Sequence, residues 1–129
     1  MKIISLLLAS CLCLFAAGNA NAQLFLKKAD GNDLLGRCRL GVDREPQGSD
    51  EFASFASCAS FIEGVRQASV ASAAIACQKQ LLCMPAEVSN GQMIRVAVKW
   101  MQDHRAELHL PAGILAIRAW REAFPCGGP

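Results

Sequence analysis

A capped helix followed by a tight turn constrains this chain more than any other feature, and it lies between Cys83 and Pro111. Ser89 occupies an N-cap position and Gln92 follows three residues later, which is the spacing of a capping box. Apolar residues then recur at helical spacing; they are Met93, Val96, Ala97, Trp100 and Met101. The pattern ends near His104, so the sequence predicts a helix, a short polar turn and a second helix beginning at the proline.

Three further segments show helical periodicity, and no segment reads as a strand. The apolar stripes are, in chain order, Leu34, Leu35 and Cys38; Phe55, Cys58, Ile62 and Val65; and Ile114, Ile117, Trp120 and Phe124. Ser49 or Asp50 is placed to cap the second and longest of the four helices. We therefore expect a small all-α domain of four helices, with Trp100 and Trp120 in its core.

The N-terminal segment has the pattern of a secretory signal peptide. A lysine precedes an apolar run, and the small-residue motif Ala20-Asn21-Ala22 follows it, so we expect cleavage after residue 22 and a single domain over residues 23–129. Leu8 to Cys11 also resembles a lipobox, which would make Cys11 a lipidated N-terminus. Ordinary cleavage is favoured because only eight residues separate Lys2 from that cysteine and the apolar run continues past it.

Length and charge limit the function of the mature chain. Removing 22 of 129 residues leaves 107, enough for one domain with a modest core. Loss of Lys2 takes the 13 basic residues to 12, against 11 acidic ones, so the formal charge is +1. That balance argues against binding of nucleic acid or a membrane surface. No later stretch has the roughly 20 apolar residues of a membrane-spanning helix.

Five of the seven cysteines remain after cleavage, namely Cys38, Cys58, Cys77, Cys83 and Cys126. In a small exported chain such cysteines indicate disulfides. Zinc is the alternative, but there is no Cys-x-x-Cys pair, and His104 and His109 are separated by a helix break. A cysteine nucleophile would need one of these histidines as its base, and no motif supports such a pair. We expect no catalytic activity, no metal and no cofactor.

Four segments in order resemble the Rap/Tai family of periplasmic immunity proteins, which neutralise peptidoglycan amidase effectors delivered by type VI secretion. They are GNDLLGRC at 31–38, CASFIEGV at 58–65, CMPAEVSNGQMIRVAVKWMQDHRAELHLPA at 83–112 and AFPC at 123–126. The resemblance spans residues 31–126. It implies an all-helical, commonly homodimeric periplasmic protein that inserts a loop into the catalytic groove of its amidase partner.

The resemblance also selects four of the five cysteines, namely Cys38, Cys58, Cys83 and Cys126, and leaves Cys77 outside the set. Four cysteines allow three pairings. Helices that run alternately up and down place Cys38 beside Cys58 and Cys126 beside Cys83. We predict these two disulfides, with Cys77 unpaired or engaged in an alternative pair.

The polar turn is the expected partner-binding segment, and its candidate residues are His104, Arg105, Glu107 and His109. A tight turn after a capped helix presents its side chains at little ordering cost, which favours binding. The alternative is that the turn is only a connection. The function predicted is inhibition of an amidase effector; the alternative function is a small periplasmic helical binding or chaperone-like module without an amidase partner.

Overall fold

A computed structural model describes residues 29–77 and 79–127. Over these ranges the chain forms helices α1 (Gly31–Arg39), α2 (Gly48–Ile75), α3 (Asn90–Asp103) and α4 (Ala112–Ala123), with a 3-10 turn at Arg105–Glu107. The same ranges contain no strand, and their single β-bridge is isolated. The prediction of a small all-α domain of four helices is confirmed. The predicted signal peptide and the alternative lipidation at Cys11 lie outside the described residues.

The four helices enclose one core. All six pairs of helices are in contact, most extensively α1 with α2 and α3 with α4. Trp120 is fully buried at the centre, and its indole Nε1 donates a hydrogen bond to the Met93 carbonyl over 3.1 Å. That bond satisfies the one polar atom of a large apolar side chain, so the ring can be buried without an unpaired donor.

Two disulfides fasten the helices, and they are the predicted pairs. Cys38 on α1 joins Cys58 on α2, with Cα atoms 5.2 Å apart and both residues fully buried. Cys83 joins Cys126 across the exposed base of the α3–α4 hairpin, with Cα atoms 5.0 Å apart. Cys77 is an exposed free thiol. The first disulfide is therefore part of the core, whereas the second ties a loop to the end of α4.

The start of α2 differs from the sequence-based prediction. Neither Ser49 nor Asp50 is the N-cap; the helix begins at Gly48 after Gln47, which gives no side-chain cap. The carboxylate of Glu51 instead accepts the Gln47 backbone N–H at 2.7 Å and also binds Arg44. These hydrogen bonds, that to Arg44 foremost, lower the pKa of Glu51 to about 2.

The buried faces of α3 and α4 are rotated from the predicted stripes. Trp100 is only half buried and packs against the core at its edge, so its placement as a core residue was wrong, whereas that of Trp120 is confirmed. Ile114, which belongs to the predicted apolar stripe of α4, is 47 % exposed. The buried residues of α4 are Ala112, Leu115, Ala116, Ala119 and Trp120. Three alanines on this face let the neighbouring helices approach closely, which leaves the bulkier isoleucine on the rim. In the described part of the chain, no helix is long and apolar enough to span a bilayer.

Candidate partner-binding surface

The predicted binding turn, residues 104–109, is built on a buried anchor. His104 ends α3, and its backbone N–H donates to the Trp100 carbonyl over 3.0 Å. After the 3-10 turn, Leu108 is buried at 7 % exposure and packs in the core. The Leu110 N–H then returns to the Glu107 carbonyl over 2.9 Å. The turn thus folds around one leucine, and its remaining side chains are directed to the surface.

The start of α1, at the other end of the described chain, holds this turn in place through hydrogen bonds from Gly31 and Asn32, which we call the clamp. The Gly31 N–H donates to the Leu110 carbonyl over 3.1 Å. Asn32 donates twice to the Leu108 carbonyl, from its backbone N–H and from Nδ2, each over 3.3 Å. The approach is close because an added Cβ at Gly31 would lie 3.0 Å from the Leu108 backbone. The clamp satisfies turn carbonyls that would otherwise depend on water, and it fixes the turn against the core.

The four predicted site residues lie together on the turn, but their environments differ. Arg105 and His109 are exposed, and His109 Nδ1 lies 3.0 Å from the Ala106 carbonyl. Glu107 does not project freely as expected, because Arg118 on α4 donates to its carboxylate. Of the two charged residues on the 3-10 turn, Arg105 alone therefore remains available for a partner.

His104 is held between the turn and α3. Its ring stacks on Trp100, with ring centroids 3.9 Å apart and an interplanar angle of 11°. Its Nδ1 lies 2.8 Å from the Trp100 carbonyl, so the protonated Nδ1 donates there. Stacking and hydrogen bonding fix both side-chain torsions. The His104 ring is thus held in one orientation at the surface.

A groove runs beside the turn between α3 and α4; we call it the α3–α4 groove. Its volume is about 510 Å³, and it is lined by Gln92, Arg95, Val96, Lys99, Trp100, Asp103, His104, Ala119, Glu122 and Ala123. Trp100 contributes the largest apolar face, and its Nε1 donates to Glu122 Oε2 over 2.7 Å. Sequence reasoning missed this groove because the spacing assigned Trp100 to the core.

The charges on the turn and the groove are unevenly paired. Lys99 binds Asp103, and Arg118 binds Glu107. Neither Arg95 nor Arg105 forms an ion pair within 4.0 Å among the described residues. Across residues 29–77 and 79–127, no group of three or more potential metal ligands comes together. The turn and the groove therefore carry two guanidinium groups, those of Arg95 and Arg105, that have no ion pair among the described residues.

Comparison with known proteins identifies a family for this chain. A family model described as Rap1a immunity proteins matches residues 30–126, which is three quarters of the chain. No curated protein matches, and neither does any solved structure. The matched region includes α1, the turn and the groove, and it ends at the second cysteine of the Cys83–Cys126 disulfide.

Proposed function

Because this chain belongs to the Rap1a immunity protein family, we propose that it protects its own cell from a peptidoglycan amidase effector delivered by type VI secretion. Family membership makes it an immunity protein against a bacterial effector, and such a protein acts by binding its partner. The two disulfides, together with the family, suggest an exported periplasmic protein. The amidase, the secretion route and the mode of inhibition are the proposed part.

In this proposal the turn at residues 104–109 enters the catalytic groove of the amidase and excludes its substrate. The observation that carries the proposal is the clamped turn with exposed Arg105 at its outer edge. A segment that is already fixed before binding loses little conformational entropy when it docks. Its few central side chains would then dominate the affinity, as in other protein interfaces.

The ion pair at Glu107 bears on which side chains we assign to the proposed contact. Glu107 is paired with Arg118, so a substitution at Glu107 alters the turn as well as any contact with a partner. Arg105 has no such internal role and is the cleaner probe. His109 lies exposed on the same turn, and His104 is stacked at its base. We assign Arg105 and His109 to direct contact, and His104 and Glu107 to holding the turn.

The test is a titration of the peptidoglycan amidase that gene neighbourhood identifies as the candidate partner, with wild-type protein and with Arg105→Glu. We expect the charge reversal to weaken inhibition by at least about tenfold, because it removes one attraction and adds a repulsion at the centre of the contact. Arg121→Glu is the matched control, since Arg121 is exposed on α4 and does not line the turn or the groove. Helical circular dichroism and melting temperature should be the same for all three proteins.

Two outcomes would separate the parts of the proposal. If the wild type neither binds nor inhibits the amidase, the immunity assignment to that enzyme fails, and a helical binding module without an amidase partner becomes the better reading. If both forms inhibit equally, the function stands and the turn is only a connection. The homodimer expected from the family resemblance stays a prediction, which sedimentation velocity checks directly.

A further inference from the structure

We propose that the α3–α4 groove is the second half of the effector-binding surface and receives an apolar side chain flanked by carboxylates. The inference rests on the proposed function, because it names the chemistry of the partner at the surface that begins with the turn. It adds a specificity site on the helices to the contact made by the turn itself. The argument depends on the order of the groove, its continuity with the turn and its charge.

The groove is apolar at its centre and already ordered. Val96, Trp100, Ala119 and Ala123 supply carbon surface. The Trp100 ring is fixed from two directions, by the hydrogen bond from its Nε1 to Glu122 and by the stacked ring of His104. A half-buried tryptophan with its polar atom satisfied can bind an apolar group without first losing rotamer freedom. Tryptophan and arginine are also the residue types enriched among the dominant side chains of interfaces.

The groove and the turn form one continuous surface. His104 lines the groove, and it is also the residue from which the 3-10 turn begins. A partner that surrounds the turn on this side therefore reaches the Trp100 face without crossing any other element. The volume of about 510 Å³ is sufficient for one or two side chains of a protein segment.

The unpaired charges define what kind of segment fits. Arg95 lies on the rim of the groove and Arg105 on the turn, and neither has a carboxylate partner among the described residues. Lys99 and Asp103 neutralise each other on the same rim. The carboxylate of Glu122 accepts the Trp100 indole N–H with one oxygen and keeps its negative charge at the groove. Arg95 and Arg105 are thus two cations against the one unpaired carboxylate of Glu122, and this excess of positive charge favours carboxylates beside the apolar side chain of the occupant.

The same charges disfavour a second copy of this chain as the occupant. In a twofold dimer, the same patch faces itself. Each copy would bring two unpaired guanidinium groups, Arg95 and Arg105, against the single unpaired carboxylate of Glu122 on the other copy, so the interface would keep an excess of positive charge. The effector is therefore the occupant to which we commit.

The test measures the affinity of the full-length mature protein, with its disulfides formed, for the neighbouring amidase. Arg95→Glu reverses the rim charge, and Ala123→Lys fills the groove from an exposed position at the end of α4. We expect each to weaken binding by at least about tenfold. The affinity of the wild type should also fall more steeply with salt than that of Arg95→Glu. Arg121→Glu and Ala71→Lys change exposed residues that do not line the groove; they are the matched controls and should bind like the wild type.

The outcomes are distinguishable from those of the proposed function. If the wild type and both groove variants bind the amidase equally, the groove inference is overturned while the immunity function stands. If the groove variants change the sedimenting mass of the free protein but not its affinity for the amidase, a second copy occupies the groove and the inference is again wrong. If the wild type does not bind the amidase at all, both the proposed function and this inference are refuted.

Discussion

Two glycines on α1 allow the same substitution to be compared in opposite environments. An added Cβ at Gly31 would lie 2.3 Å from Leu115 Cδ1 and 3.0 Å from the Cα and carbonyl oxygen of Leu108. An added Cβ at Gly36 meets no atom within 4 Å. We therefore predict that Gly31→Ala destabilises the protein and that Gly36→Ala stabilises it.

The magnitudes follow from two opposing effects. Replacing a helical glycine by alanine lowers the conformational freedom of the unfolded chain and favours folding by about 0.5–1 kcal/mol where space permits. At Gly31 that gain is opposed by overpacking, which costs about 1–3 kcal/mol in a filled core. Leu115 can change rotamer, but the Leu108 backbone is held by the clamp from Asn32. We expect a net loss of about 1–2 kcal/mol for Gly31→Ala and a gain of about 0.5–1 kcal/mol for Gly36→Ala.

Urea unfolding under non-reducing conditions measures both values, with circular dichroism as the signal. Equal slopes of free energy against urea for the two variants would show that both expose the same surface on unfolding, so that their free energies can be compared directly. The reasoning is refuted if Gly31→Ala is as stable as Gly36→Ala. That result would mean that α1 does not press on the turn and that the clamp is loose.

Two further predictions concern the disulfides and the loss of folding stability at low pH. Replacing Cys83 and Cys126 with alanine opens a 43-residue separation and should cost about 4 kcal/mol from loop entropy. The Cys38–Cys58 separation of 20 gives only about 3 kcal/mol by the same relation. Because both of these cysteines are fully buried, we nevertheless expect removal of this disulfide to lower the melting temperature at least as much. A smaller fall in melting temperature for the Cys38–Cys58 disulfide, as its shorter loop alone would give, would contradict this prediction. Hydrogen bonds, first those from Arg44 and Arg66, hold the pKa of Glu51 and Glu63 at about 2, below the ordinary glutamate value of 4.5. The contribution of these two carboxylates to stability is therefore present above pH 4.5 and is lost as the pH falls towards 2. Melting curves of Glu51→Gln and Glu63→Gln from pH 6 to pH 2 should show a shallower acid loss than the wild type, and unchanged curves would show that these ion pairs do not matter.

Local sequence was sufficient to predict the helices, and the order of the helices, with the family resemblance that set Cys77 apart, was sufficient to predict the cysteine pairing. Ser89 caps α3 as predicted, because its hydroxyl accepts the Gln92 N–H at 3.2 Å, a bond that depends only on residues three apart. The pairing of Cys38 with Cys58 and of Cys83 with Cys126 followed from the alternating direction of successive helices. The position of the turn was likewise visible from the end of the apolar pattern near His104 and from Pro111.

The tertiary structure alone decided which side chains of the turn are available and what lies beside it. Glu107 is engaged because α4 returns Arg118 to it, and Gly31 must lack a side chain because α1 crosses the turn. Trp100 lies at the edge of the core because the alanine face of α4 sets how closely the helices pack. Helical spacing in the sequence cannot distinguish the centre of a buried face from its edge. These features depend on contacts between residues far apart in the chain, so hydrophobic periodicity and capping rules, which report on one helix at a time, contain no information about them.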